Sequence, residues 1–371
     1  MNLVAIKSAI DALSAPTISF TILTVIFPFI FPPSDWFEKI HRKTGLWRMW
    51  TKPGGLIGMI LITAFFVIGY FDVYFNKTLT KADNFPIVLM IYSMWFLIWL
   101  GMYKAYRNDI RIEQGLKPEE YNDPDDKVLV WPDLVYIEFI ALILFQVFLI
   151  VWSILVAAPI EEPANPAATP NPSKAPWYFL GLQEMLVYYD PWIAGVLLPT
   201  FIIVGLMAIP YLDINKKGDG YYSFKERRVG IFIFMYGWVV LWLFLIIIGT
   251  FFRGPNWNFF GPFEYWDTHK VEALTNVNLS EILWVKWLNQ GLPSNILIRE
   301  SLGFIVTGLY LFVLPVILAK TYLKDMLAAY GPTRFVTLMI LGLVMLALPI
   351  KMYLRWIFNL QYIIAIPEWF L

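Results

Sequence analysis

Eight long apolar stretches dominate this sequence and limit what it can fold into. About 20 apolar residues in a helix cross a bilayer core, and inside the bilayer only helices and closed barrels satisfy their own backbone hydrogen bonds. The sequence therefore predicts an all-α polytopic membrane protein with about eight transmembrane helices. The first stretch holds Pro16, Pro28 and Pro32, so we expect it to be bent or partly interfacial. The stretches lie at about 13–33, 54–74, 86–105, 132–157, 192–212, 230–252, 302–320 and 335–353.

The composition supports this class and excludes others. Of the 371 residues, 59% are hydrophobic and only 15% are charged, whereas soluble domains carry about 25% charged residues. The formal net charge is zero, which argues against a nucleic-acid-binding protein. The chain has no cysteine, so disulfides, cysteine-ligated iron–sulfur clusters and thiolate-ligated haem are excluded.

Lysine and arginine concentrate in every second loop. Four segments are basic: 36–53, 104–128, 213–229 and 320–334. Few basic residues occur in the segments that separate the first three of these, at 75–85 and 158–191. Because basic loops stay in the cytoplasm, both termini are predicted on the opposite, periplasmic side. The long segments 158–191 and 253–301 are expected on that side too.

The segment 158–191 is unusually rich in proline. Proline fixes its own φ angle and biases the preceding residue toward extended backbone, so the segment is predicted to be a stiff crossing at the membrane surface. The pattern from Trp177 to Tyr189 then favours a short interfacial helix with Pro176 at its start. Five prolines fall within 163–176, at positions 163, 166, 170, 172 and 176.

The motif P-A-N-P-A-A-T-P-N-P-S-K-A-P-W-Y-F-L resembles the outer-surface loop in the C-terminal half of cytochrome b, which also occurs as the separate subunit IV of bf-type complexes. W-P-D-L-V-Y at 131–136 and F-K-E-R-R at 224–228 extend the resemblance to about 125–252. This predicts a three-helix family-like domain there. The segments 1–124 (three spans), 253–301 (an aromatic loop) and 302–371 (two spans and a tail) look like additions of a bacterial branch.

The resemblance implies a haem-free subunit of a bc-type quinol:cytochrome c oxidoreductase in a bacterial inner membrane, with menaquinol as a plausible substrate. In this family, quinol is oxidised near the outer surface. One electron passes to a Rieske 2Fe–2S protein and the other to b haems. The implied partners are a haem-binding N-terminal cytochrome b subunit, the Rieske protein, a c-type cytochrome and lipids, in a dimer of the whole complex.

The histidines indicate that this chain does not ligate the b haems itself. In the family, histidines on spans supply the axial ligands of haem b. The two histidines here, His41 and His269, both fall in predicted loops. No metal site is therefore predicted in this chain, and the haems are expected in a partner subunit.

In the family, the proline-rich loop and the Trp-Tyr helix form one wall of the quinol pocket. The resemblance thus implies quinol-binding roles for Pro170, Pro176, Trp177, Tyr178 and Leu180. Pro176 occupies the position of the family's glutamate, and proline cannot accept a proton.

Glu184 is the nearest carboxylate downstream, about two helical turns beyond Pro176, so on a helix it would return to a similar face. It is predicted to be the proton acceptor, with Tyr178 as a second catalytic group. The alternatives are that Glu184 caps a turn or pairs with a neighbouring chain, and that Tyr178 only packs.

The family also has a quinone-reduction site with acidic and basic residues on the cytoplasmic side, and the resemblance implies that Asp133, Lys225 and Arg228 border it. Charged groups at membrane depth are costly, which makes Asp133 a candidate site residue in its own right. The alternative is interfacial anchoring. Two other functions compete with the redox subunit: a structural scaffold of a respiratory complex, and a transporter. The nearly charge-free spans and the lack of a visible repeat weigh against a transporter.

Overall fold

The computed structural model describes residues 3–122, 129–156, 163–215, 220–272, 275–366 and 369–371. This part of the chain is mostly helical, and its strands β1 (Ala365–Ile366) and β2 (Trp369–Phe370) form an antiparallel pair. The α-helices are α1 Leu3–Ser14, α2 Pro16–Ile30, α3 Asp35–Lys43, α4 Lys52–Tyr70, α5 Val73–Leu79, α6 Phe85–Glu113, α7 Val135–Leu155, α8 Leu180–Met185, α9 Leu198–Leu212, α10 Arg228–Met235, α11 Phe244–Ile247, α12 Leu279–Glu281, α13 Ile296–Arg299, α14 Ser301–Gly308, α15 Leu314–Lys320 and α16 Lys324–Phe358.

Tighter and wider helical turns join or continue these helices. The 3₁₀ turns are Leu46–Trp50, Ala82–Asn84, Glu119–Asn122, Trp177–Phe179 and Pro255–Trp257. The π-helical segments are Val130–Leu134, Ile193–Leu197, Tyr236–Leu243, Ile248–Phe252, Ile282–Trp287 and Leu309–Val313. Two of these, Tyr236–Leu243 and Ile248–Phe252, join α10 and α11 into one nearly continuous helix from Arg228 to Phe252.

Seven helices in the described chain are long and apolar enough to cross a membrane. The α1–α2 pair makes an eighth if the two helices, bent by 73°, form one span. Pro16 starts α2 where its missing N–H costs nothing, so the expected bend is present. The all-α polytopic prediction is confirmed. The seven helices are Lys52–Tyr70, Ala82–Glu113, Val130–Leu155, Ile193–Leu212, Arg228–Phe252, Ser301–Lys320 and Lys324–Phe358.

The described residues fall into two compact units. The first contains those within Met1–Pro28, Asn171–Lys216 and Phe232–Leu371, and the second those within Phe29–Pro170 and Lys217–Ile231. The segments 1–124, 125–252, 253–301 and 302–371 stay a prediction from the sequence. In the second unit, α7, which the sequence assigns to the family-like segment, lies with α4–α6.

In the first unit, the short helix α8 packs against α11 and the turns beside it. Gly181 and Gly249 allow this close approach, since a Cβ on Gly249 would lie 3.1 Å from the Leu180 carbonyl oxygen. Leu245 and Ile248 are each 1% exposed in this contact region. The packing fixes which face of α8 turns inward.

In the second unit, α6 holds the turn that precedes α10. Asp109 accepts hydrogen bonds from Ser223 Oγ (2.7 Å) and from the backbone N–H groups of Phe224 and Lys225 (both 3.1 Å). The buried Asn108 donates to the Tyr222 carbonyl at 2.9 Å. These bonds satisfy backbone groups that a buried turn would otherwise leave unpaired.

The close packing of α14 against the chain at Ile363 can be tested with two glycines of the same helix. A Cβ on Gly303 would lie 2.2 Å from the Ile363 carbonyl oxygen, whereas one on Gly308 would meet nothing within 4 Å. We expect Gly303→Ala to lower the free energy of unfolding by about 1–3 kcal/mol through overpacking. Gly308→Ala should leave it unchanged or raise it by up to about 1 kcal/mol. Thermal unfolding in detergent measures both, and equal Tm values for the two variants would contradict this packing.

Candidate functional site

The predicted interfacial helix after the proline-rich segment exists, but it is short and begins with a tighter turn. Trp177–Phe179 forms a 3₁₀ turn that leads into α8. Pro176 occupies the cap position, with φ −50° and ψ 148°, and its carbonyl accepts from the Phe179 N–H at 2.8 Å. Proline suits this position because its φ is fixed and no donor is lost.

The end of the proline-rich segment is bound to α8 and to the helix that ends at Phe252. Gln183 Oε1 accepts from the Ala175 N–H at 2.8 Å, and Gln183 Nε2 donates to the Ser173 carbonyl at 2.9 Å. Lys174 Nζ donates to the Thr250 carbonyl at 2.7 Å and lies 5.1 Å from the ring centroid of Trp266. The segment therefore keeps its shape through side-chain contacts as well as through proline.

The predicted quinol residues occupy different environments. Leu180 is 3% exposed and turns into the core. Tyr178 and Phe179 are each 49% exposed, and Trp177 is half-buried with its ring 5.6 Å from that of Tyr178. Pro170 and Pro176 are exposed. The aromatic residues thus form an open face at the start of α8.

Glu184 lies on the opposite, inward face. It is 0% exposed, and its carboxylate forms a two-pronged ion pair with Arg253: Nη2 donates to Oε1 at 2.6 Å and Nε donates to Oε2 at 2.9 Å. Trp257 Nε1 also donates to Oε2 at 3.1 Å, and the Tyr188 hydroxyl donates to Oε1 at 3.4 Å. Such paired hydrogen bonds between arginine and a carboxylate are among the strongest in proteins.

The pair also shifts the ionisation of its neighbours. Burial alone would lower the pKa of Arg253, but the charge and hydrogen bonds of Glu184 outweigh it and raise that pKa above its ordinary value. Burial raises the pKa of Tyr188, and the nearby charge of Glu184 raises it further. Arg253 therefore stays charged and Tyr188 stays neutral across the physiological range.

This arrangement differs from the one that helical periodicity predicts. Pro176 is exposed and Glu184 is buried, because the 3₁₀ turn changes the spacing between them. Among the contacts of the described residues, none joins Glu184 to Tyr178. Instead, Glu184 accepts hydrogen bonds from Arg253 and Trp257, neither of which was predicted as a site residue. The sequence feature that could have indicated Arg253 is its position as a single arginine directly after an apolar span.

Two of the three residues of the predicted cytoplasmic-side site are brought together, since Lys225 and Arg228 both pair with Glu38, at 3.2 Å and 3.7 Å. Lys225 also pairs with Glu113, and Arg228 with Asp35. Asp133 is exposed in the turn before α7. A cavity of about 30 Å³ lies beside Lys225, well below the roughly 300–1,000 Å³ of ordinary ligand pockets.

His41 is buried at the edge of this cavity. It is 5% exposed, and its Nδ1 donates to the Phe29 carbonyl at 2.7 Å. Burial lowers its pKa, although that carbonyl and the charge of Glu38 partly oppose the shift. His269, by contrast, is exposed. Among the described residues, no three His, Asp or Glu side chains are grouped so as to hold a metal ion.

His41 provides a pH test. Because the pKa of His41 is lowered by folding, the unfolded chain binds its proton more readily. The stabilising effect of neutral His41 is therefore complete above about pH 6.5 and is lost as the pH falls below that value. We expect His41→Gln to flatten the pH dependence of Tm between about pH 5 and 7 relative to the wild type. A profile for His41→Gln identical to that of the wild type would refute this assignment.

Comparison with known proteins agrees with the proline-rich motif. Residues 163–263 match the family model cytochrome b(C-terminal)/b6/petD. The match differs from the predicted range 125–252 at both ends, since it leaves α7 outside and includes Arg253 and Trp257. No solved structure matches the chain. Over residues 163–263, this multi-pass membrane protein is similar to the cytochrome b(C-terminal)/b6/petD family.

Proposed function

We propose that this chain is the haem-free cytochrome b C-terminal-type subunit of a bc-type quinol:cytochrome c oxidoreductase. Its proline-rich segment and the aromatic turn Trp177–Phe179 form one wall of the quinol-oxidation site, on the outer side of a bacterial inner membrane. The observation that carries the proposal is the family match over 163–263, which contains both parts of this wall.

The open aromatic face is suited to a site shared with another chain. Tyr178 and Phe179 remain half-exposed although α8 is anchored against the core by Leu180 and Glu184. A rigid wall needs little reorganisation to receive a planar ring, and aromatic side chains offer stacking area together with the Tyr178 hydroxyl. In the proposed complex, the haem-binding N-terminal cytochrome b subunit covers this face.

The rest of the complex supplies the redox centres. One electron from the quinol passes to a Rieske 2Fe–2S protein and then to a c-type cytochrome, and the other passes to b haems of the partner subunit. Menaquinol is the proposed quinol, lipids fill the periphery, and the whole assembly is a dimer. The family match supports the cytochrome b partner most directly.

Glu184 acts in this proposal through its ion pair and not as a free base. Protonating it would leave the charge of Arg253 without its partner in a buried position, which is costly. The carboxylate is also shielded, since its side chain is 0% exposed and it accepts bonds from Arg253 and Trp257. Glu184 therefore holds the wall against the turn that follows the helix ending at Phe252.

Purification through a tag on this chain tests the main proposal. We expect b haem to co-purify, and added quinol to reduce it in a reduced-minus-oxidised spectrum. Tyr178→Phe should lower kcat/KM for quinol about tenfold, the equivalent of one lost hydrogen bond of about 1.4 kcal/mol, and Tyr178→Ala should lower it further.

The matched control is Tyr322→Phe, because Tyr322 is 90% exposed between α15 and α16. Its activity should equal that of the wild type. Absence of co-purifying b haem would refute the redox subunit. Haem-containing complexes with equal activity in all variants would favour the scaffold function instead.

Glu184 and Arg253 call for a double-variant comparison. Glu184→Gln alone or Arg253→Met alone leaves one buried charge unpaired, and each should cost about 3–5 kcal/mol of stability. The double variant removes both charges and should recover most of the stability and of the quinol-oxidation rate. A double variant that is stable but as inactive as Glu184→Gln would show instead that Glu184 is the proton acceptor.

A further inference from the structure

A groove lies beside the proline-rich segment in the first unit. Its volume is about 350 Å³, and it is lined by Asn171–Ser173, Gln183, Leu186–Val187 and Trp257. This volume falls within the range of small-molecule sites, about 300–1,000 Å³. Leu186 is 46% exposed there, so apolar side-chain surface is available to a ligand.

Trp257 is held in the groove by an unusual backbone. Asn256 and Trp257 both have φ of 57°, in the left-handed region, which residues with a Cβ rarely adopt. Such conformations persist where surrounding contacts enforce them, and they concentrate at functional sites. Here Arg253 Nη1 donates to the Trp257 carbonyl at 2.9 Å, and Trp257 Nε1 donates to Glu184 at 3.1 Å.

The proline-rich segment holds the same turn from the other side of the groove. Asn171 Nδ2 donates to Asn256 Oδ1 at 2.9 Å, and the Asn256 N–H donates to Asn171 Oδ1 at 2.7 Å. The position of the Trp257 ring is thus fixed at its indole N–H, at its own carbonyl and through the preceding residue. An aromatic ring that is fixed before binding loses little entropy when a ligand stacks on it.

The electrostatics of the groove favour an uncharged ligand. The Glu184 and Arg253 charges that hold Trp257 neutralise each other. Asn171 and Gln183 use their amide groups within the protein. The surface left for a ligand therefore consists mainly of the indole ring, Pro172, Leu186 and the Ser173 hydroxyl, which suits a planar neutral ring with polar substituents.

We propose that Trp257 is a positioning residue that stacks against the ring of the quinol in this groove. The inference rests on the proposed function and deepens it, because the proline-rich segment, proposed there as one wall, also lines this groove at Asn171–Ser173, and Trp257 lines the same groove from the turn after the helix ending at Phe252. Trp257 acts on binding and orientation and takes no proton or electron, so its removal should alter KM more than kcat.

The test uses the purified complex with 2,3-dimethyl-1,4-naphthoquinol as the probe. Trp257→Ala should raise the KM at least tenfold and change kcat less than threefold, at wild-type b-haem content. Trp257→Phe keeps a ring and should stay within threefold of the wild-type KM. The control Trp287→Ala, at a tryptophan that is 69% exposed, should have no effect.

Asn171→Ala provides a second variant in case Trp257→Ala does not assemble. It keeps the indole but releases Asn256, and should raise the KM at least threefold. Its control is Asn295→Ala, outside the proline-rich segment, where the exposed side chain accepts only a local hydrogen bond, from the Leu297 N–H at the start of α13.

If the wild type is active and Trp257→Ala leaves the KM unchanged, this inference alone is overturned. If Trp257→Ala does not assemble, an unchanged KM in Asn171→Ala has the same consequence. The same holds if Trp257→Phe is as impaired as Trp257→Ala. A haem-containing wild type that does not oxidise the quinol would overturn the proposed function and this inference together.

Discussion

The buried ion pair between Glu184 and Arg253 is the interaction on which the organisation of the site depends. It connects α8, which follows the proline-rich segment, to the turn that begins where the helix Arg228–Phe252 ends. A cation after a helix C-terminus also complements the helix dipole. Because neither charge tolerates burial alone, the two elements are held together, and Trp257 is positioned as a consequence.

The proline-rich segment and the ion pair have complementary roles. Proline restricts the backbone, but it provides no contact that places the segment against anything else. That placement comes from Gln183, which binds Ser173 and Ala175, and from Lys174, which binds the Thr250 carbonyl. The aromatic turn Trp177–Phe179 is therefore presented from a fixed base while its rings stay open.

The spans differ in how much of their surface the chain itself covers. In the span Val130–Leu155, no residue of its apolar 18-residue stretch is buried within the chain. In the span Arg228–Phe252, 44% of the corresponding stretch is buried. In a membrane, exposed apolar surface of this kind is left to lipid or to neighbouring chains. Among these seven spans, the one with the largest buried share is also the one that Arg253 follows directly, next to the candidate site.

The sequence by itself determined the membrane class, the approximate spans, the bend in the first span and the family of the proline-rich segment. These follow from local properties: hydropathy over about 20 residues, the fixed φ of proline and a long irregular motif. Only the tertiary structure decided which face Glu184 occupies and which residue it meets. A 3₁₀ turn at Trp177–Phe179 alters the helical spacing, and Arg253 lies 69 residues away along the chain. Periodicity cannot register a contact between distant residues, because it depends on how separate helices pack.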